Sequence, residues 1–306
     1  MKTLSSVKAL FISLSLFGSY TIPYCLSAKT ADVTIDGDII EDNEKHHNTS
    51  SNVSCALLIS SGSSYTGTNI VISTVCRSSS FGDAAIYSKG GKFLNLGANY
   101  GWSSVTVSKG GVYGGYSSAI ELSDMTETST IYNTKIYNYA DGGTGIRLWN
   151  NSNLLLDNVE IYNASDTAIY ASRNATISNK GNGIIRISTT GDNEASIFAS
   201  RDSKVTLYNT HIENKKSSTS GVLVGDSSTI SLTNSSISSV NNNTLISGSG
   251  NLEVSLSNVD LSKSKNQRIS ASSDLTVNIQ NGTSFDGYTL SLIHISEPTR
   301  HLRISY

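Results

Sequence analysis

Ile131-Tyr132-Asn133-Thr134-Lys135-Ile136, Leu156-Asp157-Asn158-Val159-Glu160-Ile161, Leu207-Tyr208-Asn209-Thr210-His211-Ile212, Leu232-Thr233-Asn234-Ser235-Ser236-Ile237 and Leu256-Ser257-Asn258-Val259-Asp260-Leu261 are one phrase written five times. The asparagines step by 25, 51, 25 and 24 residues. The double step holds a degenerate copy at Ile177-Ser178-Asn179, followed by extra residues at 184–187. Self-similarity at a fixed short period marks a solenoid, in which each repeat is one supersecondary unit. The phrase predicts an all-β chain, a right-handed parallel β-helix with about 25 residues per coil.

A second short strand precedes each phrase: Gly145-Ile146-Arg147-Leu148, Ala168-Ile169-Tyr170-Ala171, Ser196-Ile197-Phe198-Ala199, Gly221-Val222-Leu223-Val224 and Thr244-Leu245-Ile246-Ser247. Apolar residues alternate at Leu154 and Leu156, Val205 and Leu207, Ile230 and Leu232, and Val254 and Leu256. Period-two alternation points one face of a strand inward and the other to solvent. One coil cannot bury its own apolar face, so equivalent residues of successive coils must stack into a continuous core. At the bend, Asn suits the left-handed conformation, and its amide can bond to the copy in the next coil. Asn133, Asn158, Asn209, Asn234 and Asn258 are therefore expected to form a structural ladder along one edge.

Outside the repeat, the two ends read differently. Lys2 and Lys8 precede an apolar stretch at 9–17, and a polar segment ends in Leu26-Ser27-Ala28. That is the layout of a secretory signal peptide, with cleavage expected near Ala28. The apolar core is shorter than the ~20 residues a membrane span needs. Ile22-Pro23-Tyr24 before Cys25 lacks the small residue that lipid attachment favours. At the other end, residues 290–306 contain LSLIHISEPTR, which resembles a translated sequencing-library adapter and is set aside from fold and function. The expected organisation is a signal peptide at 1–28, an N-terminal passenger part with a cysteine pair at 29–100, β-helix repeats at 101–289 and an adapter-derived tail at 290–306. On that reading the native C-terminus is missing.

Of 306 residues, 37% are hydrophobic and 15% charged, and Pro occurs only 2 times. Disorder of that polarity would be richer in Pro, Glu and Lys, so an ordered β-rich chain fits better. A net charge of -2 supplies no basic field for nucleic acid. Of the 3 cysteines, Cys25 leaves with the signal peptide, and in an oxidising compartment Cys55 and Cys76 become candidates for a disulfide.

A signal peptide followed by this coil resembles the passenger region of autotransporters, particularly adhesin-like pertactin- and antigen-43-type members. The resemblance spans about 33–289 and rests on architecture and composition. It implies export through the periplasm to the cell surface or beyond, and a C-terminal membrane β-barrel that this sequence lacks. It also implies a chain that folds coil upon coil outside the cell, and a cysteine loop short enough to cross a narrow pore.

Candidate chemistry is sparse. Gly225-Asp226-Ser227-Ser228 approaches the serine-protease turn but lacks its last glycine, and the native histidines are His46, His47 and His211. A polysaccharide lyase or hydrolase would need clustered carboxylates. Asp157, Glu160, Arg147, Arg173, Arg201 and Asp202 are instead spread over several coils. His46 and His47 follow a stretch with Asp36, Asp38, Glu41, Asp42 and Glu44. Neighbours on an extended segment point to opposite sides, so a mobile acidic stretch is expected there and no metal. No cofactor is implied.

Tyrosine is abundant, 15 residues against 6 Phe. Tyr137 and Tyr162 follow inward isoleucines and should stack outward one coil apart, while Tyr132 and Tyr208 take another outward column. An exposed aromatic row can hold a sugar ring or a protein surface, or can simply pack across strands. The expected function is that of a non-enzymatic adhesin or self-association module, whose partners are a host or bacterial surface protein, a glycan, or a second copy. The alternative is a secreted carbohydrate-active β-helix enzyme, and carboxylates converging on one face would favour it.

Overall fold

The computed structural model describes residues 31–48, 55–76, 83–109, 117–140, 142–163, 167–191, 195–215, 220–239, 244–249, 252–264, 268–271, 275–280, 282–283, 289–292 and 304–305. The expected signal peptide lies outside them. All the regular elements among them are strands, in two parallel sheets of 11 and 16 strands stacked as a β-solenoid.

Face A is the 11-stranded sheet: β1 (Ala31–Ile35), β4 (Cys55–Ile59), β7 (Asp83–Lys89), β10 (Ser117–Ser123), β12 (Ile146–Trp149), β14 (Ile169–Ser172), β17 (Ala195–Ser200), β20 (Ser220–Gly225), β22 (Thr244–Ser249), β24 (Arg268–Ala271) and β26 (Thr289–Leu292). The larger sheet is creased into two faces. Face B holds β2 (Asp38–Asp42), β5 (Ser64–Thr68), β8 (Leu94–Gly97), β11 (Ser129–Asn138), β13 (Asn153–Asn163), β15 (Thr176–Asn179), β18 (Lys204–Tyr208), β21 (Thr229–Ser239), β23 (Leu252–Asp260), β25 (Leu275–Gln280) and β27 (Ile304–Ser305). Face C holds β3 (Lys45–Asn48), β6 (Val71–Cys76), β9 (Ser103–Lys109), β16 (Ile185–Thr189) and β19 (Thr210–Asn214), together with the parts of β11, β13, β21 and β23 beyond the crease. A coil takes about 26 residues. Register partners lie as close as Ile269 and Leu290 and as far apart as Leu96 and Ile131, so loops absorb the difference without disturbing the stack.

The crease is made by asparagine. Asn133, Asn158, Asn209, Asn234 and Asn258 all have φ between 44° and 52°. In β11 and β13 the in-out alternation slips by one residue at Asn133 and Asn158. A slip of one residue sends every later side chain to the other face. Combined with the bend, it keeps Ile131 and Ile136 both inside, and likewise Leu156 and Ile161. The side chains form the expected ladder in part: Asn158 Nδ2 donates to Asn133 Oδ1 at 2.7 Å, and Asn258 Nδ2 to Asn234 Oδ1 at 2.8 Å. Where a coil has an insertion at the bend, a carbonyl takes the place of the missing amide. Asn133 Nδ2 donates to Ala98 O, and Asn209 Nδ2 to Asn182 O. Asn179 stands off the ladder, donating to Tyr208 O and accepting from Tyr208 N. Asn43 and Asn69 share the positive φ, so the crease also runs through the N-terminal coils.

The other corners have devices of their own. From face A to face B the chain turns through two consecutive positive-φ residues: Asn150-Asn151, Arg173-Asn174, Arg201-Asp202 and Asp226-Ser227. A buried serine follows three of these turns and caps the preceding coil. Ser152 Oγ accepts from Met125 N, Ser203 Oγ from Ala175 N, and Ser228 Oγ from Ser203 N, each at 3.0–3.1 Å. At the end of face C, buried Asn138 and Asn163 donate to the carbonyls of Thr144, and of Gly143 and Thr167. Within these corners the stacked columns Ile86, Ile120, Ile146, Ile169 and Ile197, and Ile136, Ile161, Ile187, Ile212 and Ile237, form the core. Each such side chain contributes roughly 1.5–3 kcal/mol on burial.

One N-terminal expectation changes. Strands β1 to β8 belong to the same two sheets as the later coils. The acidic stretch is structured, because β2 and β3 carry it, with His46 buried and His47 exposed. His46 Nε2 meets Glu41 Oε2 at 2.7 Å, and the buried Tyr65 hydroxyl donates to the same oxygen. A buried polar group keeps its place by finding such a partner.

Candidate functional site

Tyr137 and Tyr162 are register partners on face C, and both side chains point outward. Their rings stack at 5.1 Å with planes 8° apart, and Tyr139 stacks on Tyr137 at 6.2 Å and 9°. Tyr162 is 39% exposed and Tyr139 48%. Rings in this arrangement spend their faces on one another. What they offer solvent is edges, hydroxyls and the open face at the end of the stack. Beside them runs a charged column in which Glu160 meets Lys135 at 3.1 Å and Arg186 at 3.6 Å. The Lys135 ammonium is held above its usual range by its hydrogen bond to Glu160, and it also lies 4.7 Å over the Trp102 ring.

Tyr132 and Tyr208 do not join this row. The register partner of Tyr132 is Asp157, and its ring fills the space that a side chain at Gly97 would take. The Tyr208 hydroxyl donates to the Gly181 carbonyl. Both rings are tied to neighbouring coils on face B, so the four tyrosines divide into one outward stack and two packed singletons.

A second outward column lies on face A, where no sequence repeat marks it as a surface. In register it runs Leu58, Tyr87, Glu121, Arg147, Tyr170, Phe198 and Leu223. Trp149 stands beside it, edge-on to Tyr170 at 5.7 Å, and Tyr170 is edge-on to Phe198 at 5.0 Å. Arg147 lies over both Trp149 and Tyr170 and reaches Glu121 at 3.8 Å. Arg147 Nε and Trp149 Nε1 are closed to solvent without an acceptor. Burial, and next the nearby Glu121 carboxylate, push the Tyr87 phenol up to about 12. The signal was present in the middle residue of each Ile-x-Ala or Ile-x-Leu strand. Reading it as a row needs the register.

The remaining candidates resolve individually. Gly225-Asp226-Ser227-Ser228 is one of the positive-φ turns, and the Ser228 hydroxyl donates to Asp226 O while accepting from Ser203 N. His211 Nδ1 shares a hydrogen bond with Ser236 Oγ at 2.8 Å. Asp157 Oδ1 accepts from Gly183 N, and Arg201 and Asp202 form a turn. Among the described residues no group of three or more His, Cys, Asp or Glu is placed to hold a metal. Cys55 is buried at the start of β4, whereas the Cys76 side chain, and with it the pairing, lies outside the described residues. No family model, curated protein or solved structure matches the chain.

Proposed function

We propose that the chain is a non-enzymatic adhesion module, an exported passenger of autotransporter type that associates with a second copy of itself through face A. The observation that carries this reading is the order of the face A column. Read outward from the boundary between β10 and β12, one side runs Glu121, Tyr87, Leu58 and the other Arg147, Tyr170, Phe198. Two solenoids lying face to face and antiparallel, with a two-fold axis along the strands at that boundary, would bring Glu121 opposite Arg147, Tyr87 opposite Tyr170 and Leu58 opposite Phe198. A two-fold interface needs such self-complementarity. Trp149 would meet Ser123, a small residue, and Trp, Tyr and Arg are the side chains on which interfaces most depend. Each coil adds one weak contact, so strength comes from their number.

The test is charge reversal in trans, read by sedimentation. Glu121→Arg and Arg147→Glu should each weaken the dimer by about tenfold or more, because like charges then face each other. An equimolar mixture of the two variants should recover association, since reversed Glu121 of one copy meets reversed Arg147 of the other. A monomeric wild-type chain, or a mixture no better than its components, would sink the reading and return the Glu121 and Arg147 contact to a purely internal role.

A further inference from the structure

The ring stack on face C stops one rung short. In register its column runs Thr106, Tyr137, Tyr162, Ser188, Glu213 and Ser238. One face of Tyr162 lies on Tyr137, and the other is turned toward β16, where its register partner is the small Ser188. From Tyr162 to Glu213 is two strand spacings, about 10 Å. That leaves room for one ring at van der Waals distance from Tyr162, about 3.5–4 Å.

The gap is also polar at its rim. Arg186 stands two residues before Ser188 on the same strand, on the same outward side, and is 47% exposed with a loose 3.6 Å contact to Glu160. Glu213 is 51% exposed and touches Lys215 at 3.1 Å. The site therefore combines an open aromatic face, a guanidinium donor and a carboxylate acceptor around a space one ring thick. A hydrocarbon ring would satisfy the first and leave the other two unmatched, whereas a ring carrying hydroxyls satisfies all three.

We propose that face C holds a sugar ring of an oligosaccharide, stacked on Tyr162 over Ser188, with its hydroxyls accepting from Arg186 and donating to Glu213. The proposal deepens the adhesive reading by naming a glycan ligand, and it uses a different face from self-association.

The experiment uses the full chain and a printed panel of β-linked glucose, galactose and N-acetylglucosamine oligosaccharides, followed by calorimetry on the best-retained member. The wild type should retain at least one of them. Ser188→Tyr supplies the missing rung from within and should lower affinity about tenfold or more, with the β circular-dichroism spectrum and melting point kept or raised. Tyr162→Ser should lose binding, and Glu213→Gln should weaken it by several fold. No panel member retained above the Tyr162→Ser background, or undiminished binding by Ser188→Tyr, overturns the proposal. Glu121→Arg serves as the control on the other face. Sugar retained by a chain that never dimerises overturns only the self-association reading, and a dimer that retains no sugar overturns only this one.

Discussion

At the scale of single residues, the crease depends on a side chain that accepts positive φ and bonds along the stack. Asn158 does both, at φ 51° with its amide on Asn133. Asn158→Ala keeps neither property. It costs about 1–2 kcal/mol for the left-handed backbone and about 0.5–1.5 kcal/mol for the lost bond. Asn158→Gly restores the backbone freedom alone, so urea midpoints should rank wild type, then Gly, then Ala. Gly145 is small for a different reason: a Cβ there would lie 2.6 Å from the Ala168 carbonyl oxygen and 2.7 Å from Ile161 Cγ2 in the next coil. Backbone cannot step aside as a flexible side chain can. Gly145→Ala should therefore destabilise by about 1–3 kcal/mol, read as a lowered melting point. The asparagine at the crease was legible because it repeats in sequence. The buried Asn138 and Asn163 were not, because their partners are loop carbonyls whose positions follow from the fold.

At the scale of elements, strands are held by neighbours a coil or more away. Asp38 of β2 accepts from Ser64 of β5 at 2.8 Å and from the Lys92 ammonium at 2.9 Å, which ties three successive coils together. The Lys92 hydrogen bond, and then that of Ser64, hold the Asp38 carboxyl below its ordinary value of 3.8. A carboxyl depressed in the folded state contributes stability above its unfolded value, and that contribution is lost as pH falls through the folded value. Melting of the wild type should therefore drop below about pH 4 by more than that of Asp38→Asn, in which the titrating group is gone. Equal acid sensitivity of the two chains would remove Asp38 from the account. The divided coil of β15 and β16 makes a related point about elements. The insertion between them carries Gly181 and Gly183, which leave space for the Asp157 side chain, so a neighbouring coil accommodates an irregularity that looks like a fault in the repeat.

At the scale of the whole molecule, the solenoid turns sequence period into surface rows. A residue chosen once per coil becomes a line along the axis: a ring stack on face C, and a mixed aromatic and charged column on face A. In the proposed association through face A, Glu121 and Arg147 lie at the centre, so a dimer of that kind should weaken as salt is raised, whereas a contact made only by aromatic burial would not. The sequence alone made legible the all-β solenoid, the coil length to within a residue or two, the asparagine crease and the outward stacking of Tyr137 on Tyr162. It could do so because a parallel stack places equivalent residues at one constant interval, and alternation assigns inside from outside locally. Which outward residues are neighbours became visible only with the fold. Loop lengths differ from coil to coil, so the distance from Glu121 to Tyr87 or from Arg147 to Tyr170 cannot be counted from a fixed period. It is set by strand register, which fills the core first and thereby fixes, as a consequence, the order of side chains on the surface.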